Sequence, residues 1–323
     1  MAPKLSFCKI LISFLIYRSF AFSIDFNYPA IFNFGDSNSD TGGYVAGVAY
    51  HLYPPNGQTY FNGPSGRFCD GRLLLDFLTE AMDLPLLNPY LDAIGTPSFA
   101  QGCNFAVCGS SILPAIATSP SPYTLGPQVA QFFRFKARVL ELQATSNLAV
   151  QIISKNVLNS KTLNGSFSYA PIFRAAKRLN KYLPASDYFE KGLYMFDIGQ
   201  NDITVALFRS SFGQVLAFNI PAILSNFEVE VKNLYEQGAR NFWIHNTGPL
   251  GCTPFIIDQF GADPSNLDEV GCVIKHNHAV KYFNLQLQVL CSRLQGLYQD
   301  AKITFVDIFA IKHNLLVDYA TLG

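Results

Sequence analysis

The chain has 323 residues, with 23 basic and 23 acidic side chains and no formal net charge. That neutrality excludes a basic nucleic-acid footprint and a polybasic membrane patch. Charged residues make up 14 % of the chain and apolar ones 49 %, a low charge content for a soluble protein and ample material for a core.

The N-terminus carries the marks of a secretory signal. Lys4 gives a positive start, and Phe7 to Tyr17 is apolar apart from Lys9 and Ser13. Ala21-Phe22-Ser23 then places small residues for cleavage after Ser23. The other reading, a membrane anchor, needs about 20 apolar residues, and this run is shorter. Residues 1–23 are therefore expected to leave, and residues 24–323 to form one secreted, extracellular domain in the cell wall or apoplast. No later stretch reads as a transmembrane span. Of seven cysteines, Cys8 leaves with the signal. An even set of six in an exported chain suggests disulfides. Cys252 and Cys272 flank a polar loop and form the best pair; Cys103 and Cys108 read as small buried side chains.

In chain order, five short β-rich runs punctuate the sequence: Ala30–Phe34, Asn104–Val107, Leu193–Ile198, Asn241–His245 and Ile303–Ile308. Uninterrupted apolar runs suit strands covered on both faces, as in a parallel sheet. Helical spacing lies between them. Leu74, Leu75, Phe77 and Leu78 mark Gly71–Met82, and Ile223, Phe227, Val231 and Leu234 mark Ile220–Gln237, with Gly238 as C-cap. A third helix is expected over His276–Leu294. The alternation predicts one doubly wound α/β domain with strand order 2-1-3-4-5. Residues 145–172 have no clear amphipathic period and contain the sequon at Asn164. They read as a surface insertion or as a misassembled segment.

In an open α/β sheet, ligands bind beyond the carboxyl ends of the strands. The first strand is followed by Gly35-Asp36-Ser37-Asn38-Ser39-Asp40-Thr41-Gly42-Gly43, the second by Gly109 and the third by Gly199-Gln200-Asn201-Asp202. Serine, glycine amide and asparagine amide on one rim are the parts that acyl transfer needs, a nucleophile with donors for the developing oxyanion. Each has a plainer reading. Ser37 suits a helix N-cap, Asn201 could cap a helix from Ile203, and Gly109 could serve a tight turn. Asp36 and Asp40 read as turn and cap residues. His245 reads as structural, with a substitute base as the sharper alternative. His276 and His278, at i and i+2, do not share a helix face, which argues against a metal site there. His51 and the aromatic run Tyr50–Phe61 either line a substrate groove or cover core.

The ordered motifs resemble the plant GDSL esterase/lipase family of the SGNH hydrolases. They are Phe32-Asn33-Phe34-Gly35-Asp36-Ser37 with Asp40-Thr41-Gly42, then Pro64-Ser65-Gly66-Arg67-Phe68-Cys69-Asp70-Gly71-Arg72, then Asn104-Phe105-Ala106 leading to Gly109. Phe196-Asp197-Ile198-Gly199-Gln200-Asn201-Asp202, Trp243-Ile244-His245-Asn246 and Pro249-Leu250-Gly251-Cys252 follow. The wording is nearest the branch that includes early-nodulin-like esterases and proteins named α-fucosidases. The resemblance implies a three-layer αβα, flavodoxin-like SGNH fold around a five-stranded parallel sheet. It implies a carboxylic ester hydrolase with no cofactor or metal, acting on a small-molecule, lipid or acylated-glycan ester. Ser37 becomes the nucleophile, and the N–H groups of Ser37 and Gly109 with the amide of Asn201 become the oxyanion hole.

The family's Asp-x-x-His block, which supplies a base and the acid that orients it, has no counterpart. Three positions before His51, His245, His276, His278 and His313 stand Val48, Phe242, Val273, Lys275 and Ala310, none of them acidic. The expectation is therefore a C-terminally truncated domain with impaired activity. The alternative is a non-catalytic secreted glycan- or lipid-binding remnant of the same fold. A glycosidase would need two facing carboxylates, for which Asp197 and Asp202 are the nearest, unconvincing pair.

Overall fold

The structure is a computed structural model that describes residues 26–94, 96–115, 121–159 and 181–322. The expected signal segment, the sequon at Asn164 and residues 160–172 of the expected insertion lie outside the described residues.

Five strands form one parallel sheet: β1 (Ile31–Gly35), β2 (Gly102–Asn104), β3 (Leu193–Asp197), β4 (Asn241–His245) and β5 (Lys302–Val306). Their order is β2-β1-β3-β4-β5, as the alternating pattern predicts. β1 pairs with β3 along its whole length, from Ile31 opposite Leu193 to Gly35 opposite Asp197. Every residue of β1 and β3 is buried, so the period-2 pleat supplies two apolar faces.

One face carries Phe32, Phe34, Tyr194, Phe196, Phe242 and Ile244. Against it pack α3 (Leu125–Asn159), α5 (Ile220–Glu236) and α6 (Ile274–Leu297), through side chains such as Phe132, Phe227, Val231 and Phe283. Phe34 stacks between Phe105 and Phe196, with ring centroids 5.3 and 5.2 Å away. Such pairs add roughly 0.5–1.5 kcal/mol beyond their buried area. The other face carries Ile31, Leu193 and Met195, packed with Leu87 and with Leu75 of α2 (Leu74–Ala81). Helices thus cover both faces. Three further helices bear on the site: α1 (Gly43–Val48), α4 (Gln200–Arg209) and α7 (Ile308–Val317).

Besides shifts of one to three residues at other element ends, two differences from the sequence reading have a cause in the structure. The second strand pairs over Gly102–Asn104 and not Asn104–Val107. Gly102 has φ +115°, and a Cβ there would lie 1.8 Å from the Ile31 carbonyl oxygen, so only glycine lets the two backbones approach. The ladder ends at Asn104 because its side chain takes over the pairing. Its oxygen accepts from the Asn33 amide (2.7 Å) and the Ala106 N–H (3.0 Å), while its amide donates to the Ser39 carbonyl and Thr41 Oγ1. The chain still follows β1, with Phe105 N–H donating to Asn33 and Val107 N–H to Gly35. The second difference is that residues 145–159 continue α3 and are not irregular. Leu125, Val129, Phe132, Phe135 and Val139 form a buried stripe along the first half of that helix.

The expected disulfide joins Cys252 to Cys272. Cys69, Cys103, Cys108 and Cys291 are free, and Cys103 is buried in β2.

The Pro64–Arg72 motif is structural. Arg67 meets Asp76 of α2 in a two-pronged contact, Nε to Oδ2 and a terminal nitrogen to Oδ1, both at 2.7 Å. Both side chains are buried, and Asp76 also accepts from the Leu73 N–H at the head of the helix. Removing one partner would strand a buried charge. Arg67→Ala should lower the unfolding free energy by about 3–5 kcal/mol in urea titrations. Arg67→Lys should lose part of that, because an ammonium cannot reproduce the planar fork. The joint change Arg67→Met with Asp76→Leu should cost far less than the two single losses added together.

Candidate active site

The site is built at the carboxyl end of β1. The Gly35 peptide is gripped on both sides by Gln128 of α3, whose Oε1 accepts from Gly35 N–H (2.9 Å) and whose amide donates to the Gly35 carbonyl (2.8 Å). Sequence reasoning missed Gln128. The available signal was a polar residue on an otherwise apolar helix face. Next in the chain, Asp36 is fully buried. Its N–H donates to the Asp197 carbonyl at 3.1 Å. One carboxyl oxygen accepts from the Asn38 N–H and side-chain amide, both at 3.0 Å, and the other from the Asn201 amide at 3.3 Å. Burial first, and the neighbouring Asp197 second, hold the Asp36 carboxyl well above the usual carboxylate range.

Asp40 gathers the amides that open α1. It accepts from the N–H groups of Gly42, Gly43 and Tyr44, and also from Cys108 beyond β2 at 2.7 Å. Burial raises this carboxyl too, against the lowering effect of those four donors. Asp36 and Asp40 are thus turn and cap residues, as their setting in the sequence implies.

Ser37 sits half-buried on the turn between them. It caps no helix, and its hydroxyl lies beside the Cys108 thiol. Burial, followed by Asp40 and Asp36, pushes that thiol up to about 12, and the bond to Ser37 pulls against the rise. Gly109, with φ +76°, takes the left-handed turn that brings its amide to the same rim. Neither the Ser37 N–H nor the Gly109 N–H has a hydrogen-bond partner among the described residues.

Asn201 lies inside the first turn of α4 and does not cap it; the cap position is Gly199. The Asn201 amide donates to the Ser110 carbonyl at 2.8 Å and, more weakly, to Asp36. Its neighbour Asp202 accepts from the N–H groups of Ile112 and Leu113. Burial pushes that carboxyl up to about 6, the two N–H donors notwithstanding. The structure therefore brings Ser37, Gly109 and Asn201 to one rim of the sheet. A cavity of about 230 Å³ opens beside Asn201, with Leu113, Val205, Ala206 and Ile223 among its walls. On the other side of α4 a wider one, about 360 Å³, is bordered by Gln200, Pro249, Lys312 and Leu315.

The histidines lie elsewhere. His245 is buried, with Nε2 accepting from the Trp243 indole N–H (2.8 Å). That places its proton on Nδ1, which donates to Asp197 at 3.0 Å. Both ring nitrogens are engaged, so His245 is a structural residue and not a substitute base. His276 is buried against Phe260 with neither nitrogen hydrogen-bonded, and burial, with Lys275 second, pulls it down to about 4. His278 is exposed, His51 packs on Tyr53 and His313 on Phe309. None of the five is hydrogen-bonded to Ser37. Among the described residues, no three His, Cys, Asp or Glu side chains converge as metal ligands.

Comparison with known proteins places this geometry. The family model described as GDSL-like lipase/acylhydrolase matches residues 31–321. A GDSL esterase/lipase of Arabidopsis thaliana is 49 % identical over 320 residues, covering 99 % of this chain and 71 % of that protein. A second from the same plant is 45 % identical over 304 residues, covering 94 % and 72 %. An Arabidopsis protein named alpha-L-fucosidase 3 is 39 % identical over 295 residues, covering 90 % and 71 %. With its serine turn, its paired free amides and this match along most of its length, the chain belongs to the GDSL-like lipase/acylhydrolase family, and by that membership it is a carboxylic ester hydrolase.

Proposed function

We propose that Ser37 attacks the carbonyl of an acyl ester, forming an acyl-enzyme that water then hydrolyses. The observation that carries this reading is the pair of unbonded amides, Ser37 N–H and Gly109 N–H, at the rim that also presents Asn201. Backbone donors in a folded chain are normally paired, with protein or with water. Two left free beside a serine are suited to the charge that grows on the carbonyl oxygen as the tetrahedral intermediate forms. Asn201 supplies the third donor by giving up its longer bond, the one to Asp36. The bond to Ser110 keeps the side chain in place as it does so.

The glycosidase reading has less support. Asp36, Asp197 and Asp202 are buried, and each is committed to protein donors, so no two of them face each other across open space as that reaction requires.

A serine hydroxyl needs a base to become a good nucleophile. Within residues 1–323 no histidine is bonded to Ser37, and no Asp-x-x-His occurs. In this reading the oxyanion donors alone are worth about 10³–10⁴-fold over water, as in other hydrolases stripped of their base, and a base must supply the rest. Export is also part of the proposal. It rests on the leader at residues 1–23 and on the Cys252–Cys272 disulfide, a bond typical of oxidising compartments. Among the described residues no helix is long and apolar enough to cross a membrane.

Two measurements test this. On p-nitrophenyl butyrate residues 1–323 alone should turn over slowly, and appending a family-like Asp-x-x-His segment should raise the rate by orders of magnitude, since base and nucleophile act as a unit. Ser37→Ala in the extended protein should abolish the gain, and a fluorophosphonate probe should label Ser37 and no other residue. A folded, extended protein that neither hydrolyses nor labels would leave the non-catalytic remnant as the better reading. Separately, expression in a secretory host should give a mature N-terminus at Ile24 and a glycan on Asn164. Edman sequencing beginning at Met1, or mobility unchanged by glycosidase, would count against export and modification respectively.

A further inference from the structure

A cavity of about 230 Å³ runs beside α4 from the rim. Asn201, Val205 and Arg209 line it at i, i+4 and i+8, so a single face of the helix forms one wall over a rise of about 12 Å. Ile223 of α5 and Asn219, one turn before it, form a second. The third is the loop at Ser111, Leu113 and Pro114, which Asp202 holds against α4 by accepting from the N–H groups of Ile112 and Leu113. Asn219 closes a π-helical turn, Val215–Asn219, a rare form that is frequent at functional sites.

The walls change character along the cavity. Leu113, Val205, Ala206 and Ile223 make its middle apolar. Where α4 stops and the chain turns back into α5 stand Arg209, Ser210 and Asn219. Arg209 is already engaged. The Ser210 hydroxyl and the Asn219 side-chain amide have no hydrogen-bond partner among the described residues. Each can both donate and accept, which suits a neutral hydroxyl and offers no charge to a carboxylate.

The place of the cavity decides which half of an ester it takes. With the carbonyl oxygen at Ser37, Gly109 and Asn201, the acyl chain stays attached through the acyl-enzyme, while the alcohol must leave. Of the two cavities that flank α4 this is the smaller and the more enclosed, which suits the half that stays. Asn201 itself borders it, as does Ser111, two residues past Gly109. An apolar cavity of about 150 Å³ holds benzene, so 230 Å³ holds about nine carbons at the same filling.

We propose that this cavity binds the acyl part of the ester, a chain of about six to nine carbons that ends in a hydroxyl. Val205, Ala206 and Ile223 cover the chain, and Ser210 and Asn219 select the hydroxyl at its end. The assignment rests on the hydrolase reading for the place of the carbonyl, not for the binding of the chain.

The test is binding of amides that are not turned over, followed on the full chain by NMR titration with butanamide, octanamide, ω-hydroxyoctanamide and suberamic acid. The ω-hydroxy amide should bind saturably, about threefold to tenfold tighter than octanamide. Octanamide should in turn bind about a hundredfold tighter than butanamide, from the extra methylenes buried. Asn219→Ala should erase the preference for the hydroxyl and leave the affinity for octanamide unchanged. Val205→Trp, which fills the cavity, should abolish binding of both eight-carbon amides with the thermal midpoint unchanged. Ser37→Ala should bind as the parent does. Chain-dependent binding by a protein that stays inert to fluorophosphonate, even with the Asp-x-x-His segment appended, would sink the hydrolase reading and leave the cavity assignment standing. Labelling of Ser37 without chain-dependent binding would do the reverse. Equal or weaker binding of the hydroxyl-ended amide, tighter binding of suberamic acid, or binding indifferent to both Val205→Trp and Asn219→Ala would each overturn the proposal.

Discussion

Asp36 lies fully buried at the end of β1, with Asn38 on one carboxyl oxygen and Asn201 on the other. A carboxyl in that position is expensive. Burial and the nearby Asp197 both disfavour its charge, and the group is tolerated because three donors compensate. What it holds is the one stretch of chain that cannot be regular. The Ser37 turn must leave its amides unpaired, so the ladder bonds that fix β1 are lacking there. The contacts from Asp36 to Asn38 and Asn201 replace them and set the distance between the turn and α4. Behind it, the Asp36 N–H on the Asp197 carbonyl and the Asp197–His245–Trp243 chain extend the same restraint across β3 and β4. The serine rim is in this sense the exposed end of a buried polar network.

How far the sequence discloses this arrangement depends on the range of the interactions. β1 and β3 were legible because each is buried on both faces and reads as a largely apolar run between turn residues, and β4 because Phe242, Trp243 and Ile244 form a short apolar run of the same kind. β2 was misplaced by two residues because the sequence shows Asn104 as the start of an apolar run, whereas its side chain ends the ladder by bonding to Asn33, Ser39 and Thr41, 63 to 71 positions away. Gln128 was invisible for the same reason, as its target at Gly35 is 93 residues distant. Ser37, Gly109 and Asn201 were legible as residue types after strands. Their convergence followed from the parallel topology, which sends every such turn to one edge. The continuation of α3 past residue 145 lay beyond periodicity, because its Asn- and Ser-rich sequence offers no apolar stripe to read.

The acids and histidines show how burial separates structural from chemical roles. Asp36, Asp40, Asp197 and Asp202 crowd the rim, and four carboxyl groups near a serine invite a catalytic reading. Each is instead occupied. Asp40 holds the start of α1, Asp202 holds the loop at Ile112 and Leu113, and Asp197 fixes His245. His245 shows the same logic from the other side. A histidine with a carboxylate on one nitrogen has half of a base's wiring, but its remaining nitrogen receives the Trp243 indole N–H and has no lone pair left for a serine proton. A base for Ser37 must approach from the open side of the turn, the side from which substrate also comes.

That geometry explains how the donors can persist apart from any particular base. Unpaired backbone amides are kept in place by whatever keeps the backbone, and here that is a set of buried contacts. Asp40 holds the N–H of Cys108, the residue before Gly109, and the Asn201 amide is tied to the Ser110 carbonyl, the residue after it. Folding therefore keeps the serine turn, the two unpaired amides and Asn201 together as one consequence of the buried polar network, whatever group contacts the serine hydroxyl.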